Sequence, residues 1–88
     1  MEEDVEKSIL LLLVGNRTGT AVKVQEVLTN MGCFIKTRLG IHDGSPQECS
    51  NSGMLILDIL GSKEDKQDLV KKLEVLSDVK VNLVEMSL

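Results

Sequence analysis

The run Gly15-Asn16-Arg17-Thr18-Gly19 contains the residue types that suit a small ligand. It lies between an apolar strand-like run and a segment with helical periodicity, so backbone N–H groups and the positive end of a helix dipole should face the loop. Glycine would let a ligand approach the backbone, Asn16 or Thr18 could hydrogen-bond it, and Arg17 could pair with a carboxylate or phosphate. The alternative is a tight turn before a capped helix, with Arg17 in solvent.

His42 and Cys49 form the pair that could indicate a metal site. Asp43, Glu48 and Asp58 could add oxygen ligands, but the chain has one histidine, so one copy cannot supply a complete soft-ligand site. A metal would need a site shared across a symmetric interface. We predict no cofactor, and His42 and Cys49 stay as metal candidates against the alternative of an ordinary polar loop.

Catalysis is difficult to build from these residues. His42 could act as a general base and Cys49 as a nucleophile, but nothing in the sequence supplies a scaffold to orient them. An acylphosphatase-like enzyme in which Arg17 cradles phosphate is the best enzymatic alternative, but the wider loop signature of that family is absent. We therefore predict that the chain is not an enzyme.

Composition and charge argue against several classes of partner. The 88 residues have a net charge of −4, whereas nucleic-acid binding draws most of its affinity from clustered Lys and Arg. The longest apolar stretch, Ile9 to Val14, is far shorter than the roughly 20 residues that cross a bilayer, and the chain begins with acidic residues. We predict a cytoplasmic protein without direct nucleic-acid or membrane contact.

Two strand-like runs, Ile9 to Val14 and Met54 to Leu60, are apolar at nearly every position. Continuous apolar runs predict strands that are covered on both faces, because a strand with one solvated face alternates. Helical periodicity covers Thr20 to Met31, where Gly32 should end the helix in a left-handed conformation. A second helix should begin near Ser62, with Asp65 completing a capping box.

Two further segments alternate and predict half-buried strands. In the first, from Cys33 to Ile41, the pattern places Cys33, Ile35, Thr37, Leu39 and Ile41 on one face and Phe34, Lys36, Arg38 and Gly40 on the other. Cys33 is thereby interpreted as a buried thiol. The second alternating segment runs from Asp78 to Met86.

The order of these elements is βαββαβ, which predicts an α+β, ferredoxin-like fold with a four-stranded antiparallel sheet and two helices on one face. Residues 1–6 are predicted to be a flexible acidic tail and residues 7–88 a single domain. The apolar strands should be central, so the helix-free face should have an apolar centre, with polar residues at its edges: Lys36, Arg38, Lys80 and Asn82. We predict a dimer or tetramer that associates through this face or through the sheet edges, against the alternative of a monomer with an apolar open face.

The first loop and the segments after it resemble a known family. Asn16-Arg17-Thr18-Gly19, followed by an amphipathic helix and Gly32-Cys33-Phe34-Ile35, resembles the opening of ACT domains, whose loop usually has a proline where Thr18 stands. Nearly the whole chain, including Arg38-Leu39-Gly40 and the strand from Gly53 to Leu60, is similar to small ACT-like proteins described as iron-only hydrogenase system regulators. The resemblance implies a stand-alone ACT-like regulatory domain that binds a small effector, such as an amino acid, at a subunit interface near Gly15 to Gly19.

Two functions of different class therefore remain open. The first is the effector-binding regulatory domain. The second is an oligomeric protein-interaction module that binds no ligand and acts through its apolar sheet face. Neither the effector nor the downstream target can be read from these residues.

Overall fold

The computed structural model contains one antiparallel sheet and two helices. It describes residues 6–15, 19–42 and 53–88, and for His42 it describes the backbone alone. The elements are β1 (Glu6–Val14), α1 (Thr20–Asn30), a 3-10 turn (Gly32–Phe34), β2 (Ile35–His42), β3 (Gly53–Ile59), α2 (Lys63–Glu74) and β4 (Val79–Ser87). The strand order is β2-β3-β1-β4, with every neighbouring pair antiparallel. The predicted fold and its two central strands are confirmed. Residues 1–5 of the predicted tail lie outside the described residues.

The core lies between the two helices and one face of the sheet. The buried residues of each helix are four positions apart, which is the spacing that places them on one helical face: Thr20, Val24 and Leu28 in α1, and Leu69 and Leu73 in α2. The buried apolar residues are Leu10, Leu12, Val14, Val24, Leu28, Met31, Leu57, Ile59, Leu69 and Leu73. Within the described ranges, neither helix has the length and hydropathy of a membrane span.

Neither of the two described helices lies over the other face of the sheet, and that face is mostly apolar. Its side chains form three rows, each written in the order β4, β1, β3, β2: Lys80-Leu13-Met54-Ile41, Asn82-Leu11-Ile56-Leu39 and Val84-Ile9-Asp58-Thr37. We call these residues the open face. In the single chain, Leu13, Leu39 and Ile41 are 50%, 54% and 47% exposed. The continuous apolar runs of β1 and β3 thus supply the core on one side and this face on the other.

A β-bulge in β2 makes part of the predicted face assignment wrong. Ile35 pairs with Ile59, which is buried in the core, whereas Thr37 pairs with the very next residue of β3, Asp58. Lys36 is therefore an extra residue in the ladder. Because side chains alternate with a period of two, one extra residue moves every later side chain of the strand to the opposite face.

The bulge changes the composition of the open face. Leu39 and Ile41 lie on it rather than on the core side with Ile35. Arg38 is turned to the helix side, where its guanidinium donates a hydrogen bond to the side-chain oxygen of Gln25. The prediction that Arg38 borders the open face is thus wrong, and this part of the face is more apolar than the alternating pattern indicates.

The segment before β2 also differs from the prediction. Met31 closes α1, its N–H donating to the Val27 carbonyl, and Gly32 opens a 3-10 turn without adopting a positive φ. Cys33 lies in that turn with an exposed thiol, so its assignment as a buried strand residue is wrong. Phe34 packs partly buried against the core and is likewise not a strand residue. A turn of three residues at this position allows the chain to reverse from α1 into the edge strand.

The start of α2 matches the predicted capping box. The Asp65 N–H donates to the Ser62 hydroxyl, and the Ser62 N–H donates to the Asp65 carboxylate, each at 3.0 Å. The bond from the Ser62 backbone N–H to the carboxylate, with a smaller contribution from the Ser62 side chain, lowers the pKa of Asp65 from its ordinary value of 3.8. Since the folded-state pKa is the lower one, this stabilisation is present above pH 3.8 and is lost as the pH falls through the folded-state pKa.

Ser62→Ala is expected to lower the free energy of unfolding by about 1 kcal/mol at neutral pH, because it removes the N-cap of α2. The difference from the unsubstituted chain should shrink only slightly in acid, because the alanine variant keeps the Ser62 N–H bond to the Asp65 carboxylate and loses only the smaller contribution of the Ser62 side chain to the Asp65 pKa. Urea unfolding at pH 7 and near pH 3 measures both quantities. Ser87→Ala, at an exposed position at the end of β4, is the matched control. A deficit that is larger near pH 3 than at pH 7 would contradict the contribution of the Ser62 side chain to the Asp65 pKa.

Candidate functional site

The end of β1 is tied to the start of β4 through Gly15 and Asp78. The Gly15 N–H donates to the Asp78 carbonyl at 2.8 Å, and Asp78 adopts a left-handed conformation with φ of 67° just before β4 begins. The Asp78 carboxylate lies against Gly15: a Cβ added to Gly15 would be 2.0 Å from one carboxylate oxygen. A side chain at position 15 would therefore have to displace the exposed Asp78 carboxylate.

Gly19 begins α1 from a left-handed conformation. Its φ is 86°, its carbonyl accepts from the Lys23 N–H at 3.1 Å, and an added Cβ would meet nothing within 4 Å. As the N-cap residue, glycine has no side chain to cap the helix, so the capped-helix alternative does not describe this N-cap. The next residue, Thr20, is buried and donates its hydroxyl hydrogen to the Ser77 carbonyl at 3.4 Å. Conformation, rather than crowding, requires glycine at position 19.

Gly15 and Gly19 are the two predicted site residues that the structure describes. Asn16, Arg17 and Thr18 lie outside the described residues, so their predicted roles as hydrogen-bonding and charged groups stay predictions. Gly15 and Thr20, the residue after Gly19, contact the same short segment, Ser77 and Asp78, which connects α2 to β4. The end of β1 and the start of α1 are therefore both held by that connection.

A hollow lies beside Gly15, between the end of the central strand β1 and the start of the edge strand β4. Leu13, Gly15, Asp78, Val79 and Lys80 line it. Leu13 and Lys80 are cross-strand partners on the open face, so the hollow lies at the rim of that face. It combines a carboxylate, an ammonium group and an apolar side chain, which is a mixed environment rather than a purely cationic one.

Sequence reasoning missed Asp78 and Lys80 as site residues. The predicted topology contained the signal, because β4 lies antiparallel to β1 and its first residues must return beside the last residues of β1. Val14 pairs with Val79, and Leu13 pairs with Lys80. Reading the predicted register to the end of β1 would have placed both residues next to Gly15.

The described part of the structure does not bring the predicted metal candidates together. The backbone of His42 is opposite Gly53 on β3, and Cys49, Asp43 and Glu48 lie outside the described residues. Asp58 is five residues farther along β3, roughly 17 Å away, and its carboxylate is 3.6 Å from the Lys7 ammonium. Among residues 6–15, 19–42 and 53–88, no group of three or more His, Cys, Asp or Glu residues could hold a metal ion.

Comparison with solved structures supports the fold. The chain is similar to the uncharacterized protein TM1266 from Thermotoga maritima, with a TM-score of 0.77 and 25% identity, covering 96% of this chain and 99% of that one. It is also similar to CPII from Thiomonas intermedia K12, a nitrogen regulatory PII-like protein in a structure with ADP, AMP and bicarbonate bound. That TM-score is 0.61, with 12% identity, covering 98% of this chain and 96% of that one. At 12% identity, the likeness to CPII concerns the fold alone.

No protein-family model and no curated protein matches the chain. The resemblance to ACT-like proteins agrees with the fold of these structural neighbours. The narrower assignment to iron-only hydrogenase system regulators stays a prediction.

Proposed function

We propose that this chain is a regulatory domain without catalysis that binds a small effector at the end of β1, next to a subunit interface. The observation that carries the proposal is the position of the hollow. It adjoins the Gly15 backbone and opens at the rim of an apolar sheet face. A ligand there would contact both the glycine loop and any second subunit that covers the open face.

The lining of the hollow favours an effector that combines a carboxylate with an apolar part, such as an amino acid. Lys80 would attract the carboxylate, and Leu13 offers apolar surface to a side chain. The binding of ADP, AMP and bicarbonate by CPII supports the general idea that a small ferredoxin-like regulator can bind compact polar ligands.

A thermal-shift screen against amino acids, nucleotides and divalent metals tests this function. A ligand at about 100 times its dissociation constant should add roughly 2.7 kcal/mol to stability, which is a readable rise in Tm for a small domain. We expect a hit from the amino acids. A hit from the metals that His42→Ala removes would instead favour a metal site, and no hit from a folded oligomer would contradict effector binding.

Gly19→Val is expected to abolish the ligand-induced rise in Tm while the oligomer persists. A branched side chain at a φ of 86° strains the loop by roughly 1–2 kcal/mol per residue, so the backbone N–H groups before α1 should move. Gly32→Val is the matched control, since Gly32 has no positive φ and an added Cβ meets nothing within 4 Å. Equal ligand responses in the two variants would remove the Gly15-to-Gly19 loop from the site.

The second candidate function is an oligomeric protein-interaction module that binds no ligand. The open face favours it, because apolar side chains of this face are exposed in the single chain. Leu13, Leu39 and Ile41 are about half exposed, and Met54 is 36% exposed. The two functions separate experimentally. A charge on the open face should remove activity under both, whereas Gly19→Val should matter only where an effector binds.

The regulated system that we propose is an iron-only hydrogenase, with the chain acting in the cytoplasm. This rests on the resemblance of Asn16-Arg17-Thr18-Gly19, Arg38-Leu39-Gly40 and the following strand to that family of regulators. Deleting the gene in a host that has such a hydrogenase should change hydrogenase activity. Restoration by the unsubstituted chain but not by Gly19→Val would link that change to the effector site.

A further inference from the structure

We infer that two copies of this chain pair with their open faces in contact, sheet against sheet. Of the three rows on that face, the first two each present three apolar side chains and one polar one, and the third presents two of each. Leu13, Leu39 and Ile41 are about half exposed without a partner. The inference specifies the subunit contact that the proposed function uses, but it depends on the open face alone and not on ligand binding.

The size of the face is that of a small docking surface. Four strands about 4.8 Å apart and five residues at about 3.3 Å each give a flat footprint of roughly 300–350 Å² per copy, before side-chain relief is added. This is smaller than the roughly 800 Å² per partner of a standard interface, so the dimer should be weak and its formation should depend on protein concentration.

The charges on the face indicate that its partner is a second copy. Asp58 already has a partner in its own chain, because its carboxylate lies 3.6 Å from the Lys7 ammonium. Lys80 is at a corner of the face, in the first row and on an edge strand. Lys7 lies on the same face, one row beyond Asp58, and its charge is offset by that ion pair; the first two rows carry no charged residue besides Lys80, so an identical face can approach them without opposing like charges.

Both simple two-fold arrangements keep the two Lys80 side chains apart. An axis along the strands places Lys80 over Ile41 of the second copy, and an axis across the strands places it over Val84 of the second copy. With the axis along the strands, the two ammonium groups are about three strand spacings apart. With the axis across the strands, they are about four residues apart along the strand. Both distances are roughly 13–14 Å. This exceeds the Debye length of about 8 Å at physiological ionic strength, so their repulsion is screened.

Pairing through the edge of β2 is less favourable. Arg38 is exposed near the middle of this edge strand, and a centred antiparallel pairing of β2 with its copy would bring the two Arg38 side chains close together. The bulge at Lys36 also interrupts the regular ladder near the start of the strand. The open face has neither obstacle.

Leu39→Glu tests the inference, with Val22→Glu as its matched control. Leu39 is 54% exposed on the open face, whereas Val22 is 61% exposed on α1, on the other side of the sheet. Sedimentation velocity over a concentration series should show that the unsubstituted chain reaches at least twice its 9.7 kDa mass. Leu39→Glu should raise the dimer dissociation constant by about 100-fold or more, because each dimer would bury two carboxylates among apolar side chains. Val22→Glu should leave it unchanged.

Circular dichroism keeps the test decisive. If Leu39→Glu fails to fold, Ile41→Glu, 47% exposed on the same face, takes its place. A tetramer reduced to dimers by either substitution supports the inference, since one of its two contacts is then the open face. An unsubstituted chain that stays monomeric overturns it, as does a folded open-face variant that associates to the same oligomer, at the same protein concentration, as the unsubstituted chain. The ligand screen is independent of this outcome, so failure of the interface and failure of the effector site can be told apart.

Discussion

Leu57→Ala should lower the free energy of unfolding by about 3 kcal/mol and the Tm by roughly 12–24 °C. Leu57 is fully buried at the centre of β3, beside Leu10 of β1. Truncation removes apolar contacts in the core between the sheet and the helices. It also leaves a cavity, which the two paired central strands cannot easily close. Because a domain of this size has a stability of only about 5–10 kcal/mol, the loss should be evident in urea as well as in heat.

Val22→Ala is the control for this prediction. Val22 is also a branched apolar residue but is 61% exposed on α1, so its truncation should change stability by less than about 0.5 kcal/mol. Both variants should be compared at one protein concentration, since association adds to apparent stability. Equal effects of the two substitutions would mean that Leu57 does not lie in a packed core.

Gly61→Ala should destabilise the protein by about 3 kcal/mol. Gly61 joins β3 to the cap of α2 with a φ of 116°, and an added Cβ would lie 2.9 Å from the Phe34 ring and 3.2 Å from the Asp65 side chain. Two costs therefore add: the backbone conformation is unfavourable for any residue with a Cβ, and the new methyl group displaces a ring that packs against the core.

Two other glycines separate these costs. Gly19→Ala retains the backbone strain, at a φ of 86°, but meets no atom within 4 Å, so it should cost only about 1–2 kcal/mol. Gly32→Ala has neither problem and should be close to neutral. Chemical denaturation of all three variants should therefore rank them as Gly61, Gly19 and Gly32 in decreasing loss of stability. A Gly61→Ala variant as stable as Gly32→Ala would show that the connection is not strained.

The candidate site shows how far local sequence can predict a binding region. Gly15 and Gly19 were identified from a glycine-containing turn between a strand and a helix, and both have local conformational or steric reasons to be glycine. Asp78 and Lys80 were missed, although they border the same hollow. They are more than 60 positions away in the chain, and only the pairing of β1 with β4 brings them to Gly15.

The architecture was determined largely by the sequence itself. The two continuous apolar runs are the two central strands, and the helical stripes around Val24 and Leu69 face the core, because burial of apolar area is the dominant favourable term and depends on simple periodicity. The cap at Ser62 and Asp65 was predictable for a similar reason, since its hydrogen bonds span only three residues.

Only the tertiary structure decided which side chains of β2 face which way. The alternating pattern from Cys33 to Ile41 is compatible with a regular strand, but Cys33 and Phe34 lie in a turn and Lys36 is an extra residue in the ladder. Whether a strand bulges depends on where its two ends must meet β3, and alternation within the strand has no information about that register. The bulge moves Leu39 and Ile41 to the open face and Arg38 away from it. The surface on which the inferred dimer depends was therefore set by strand pairing rather than by the local pattern.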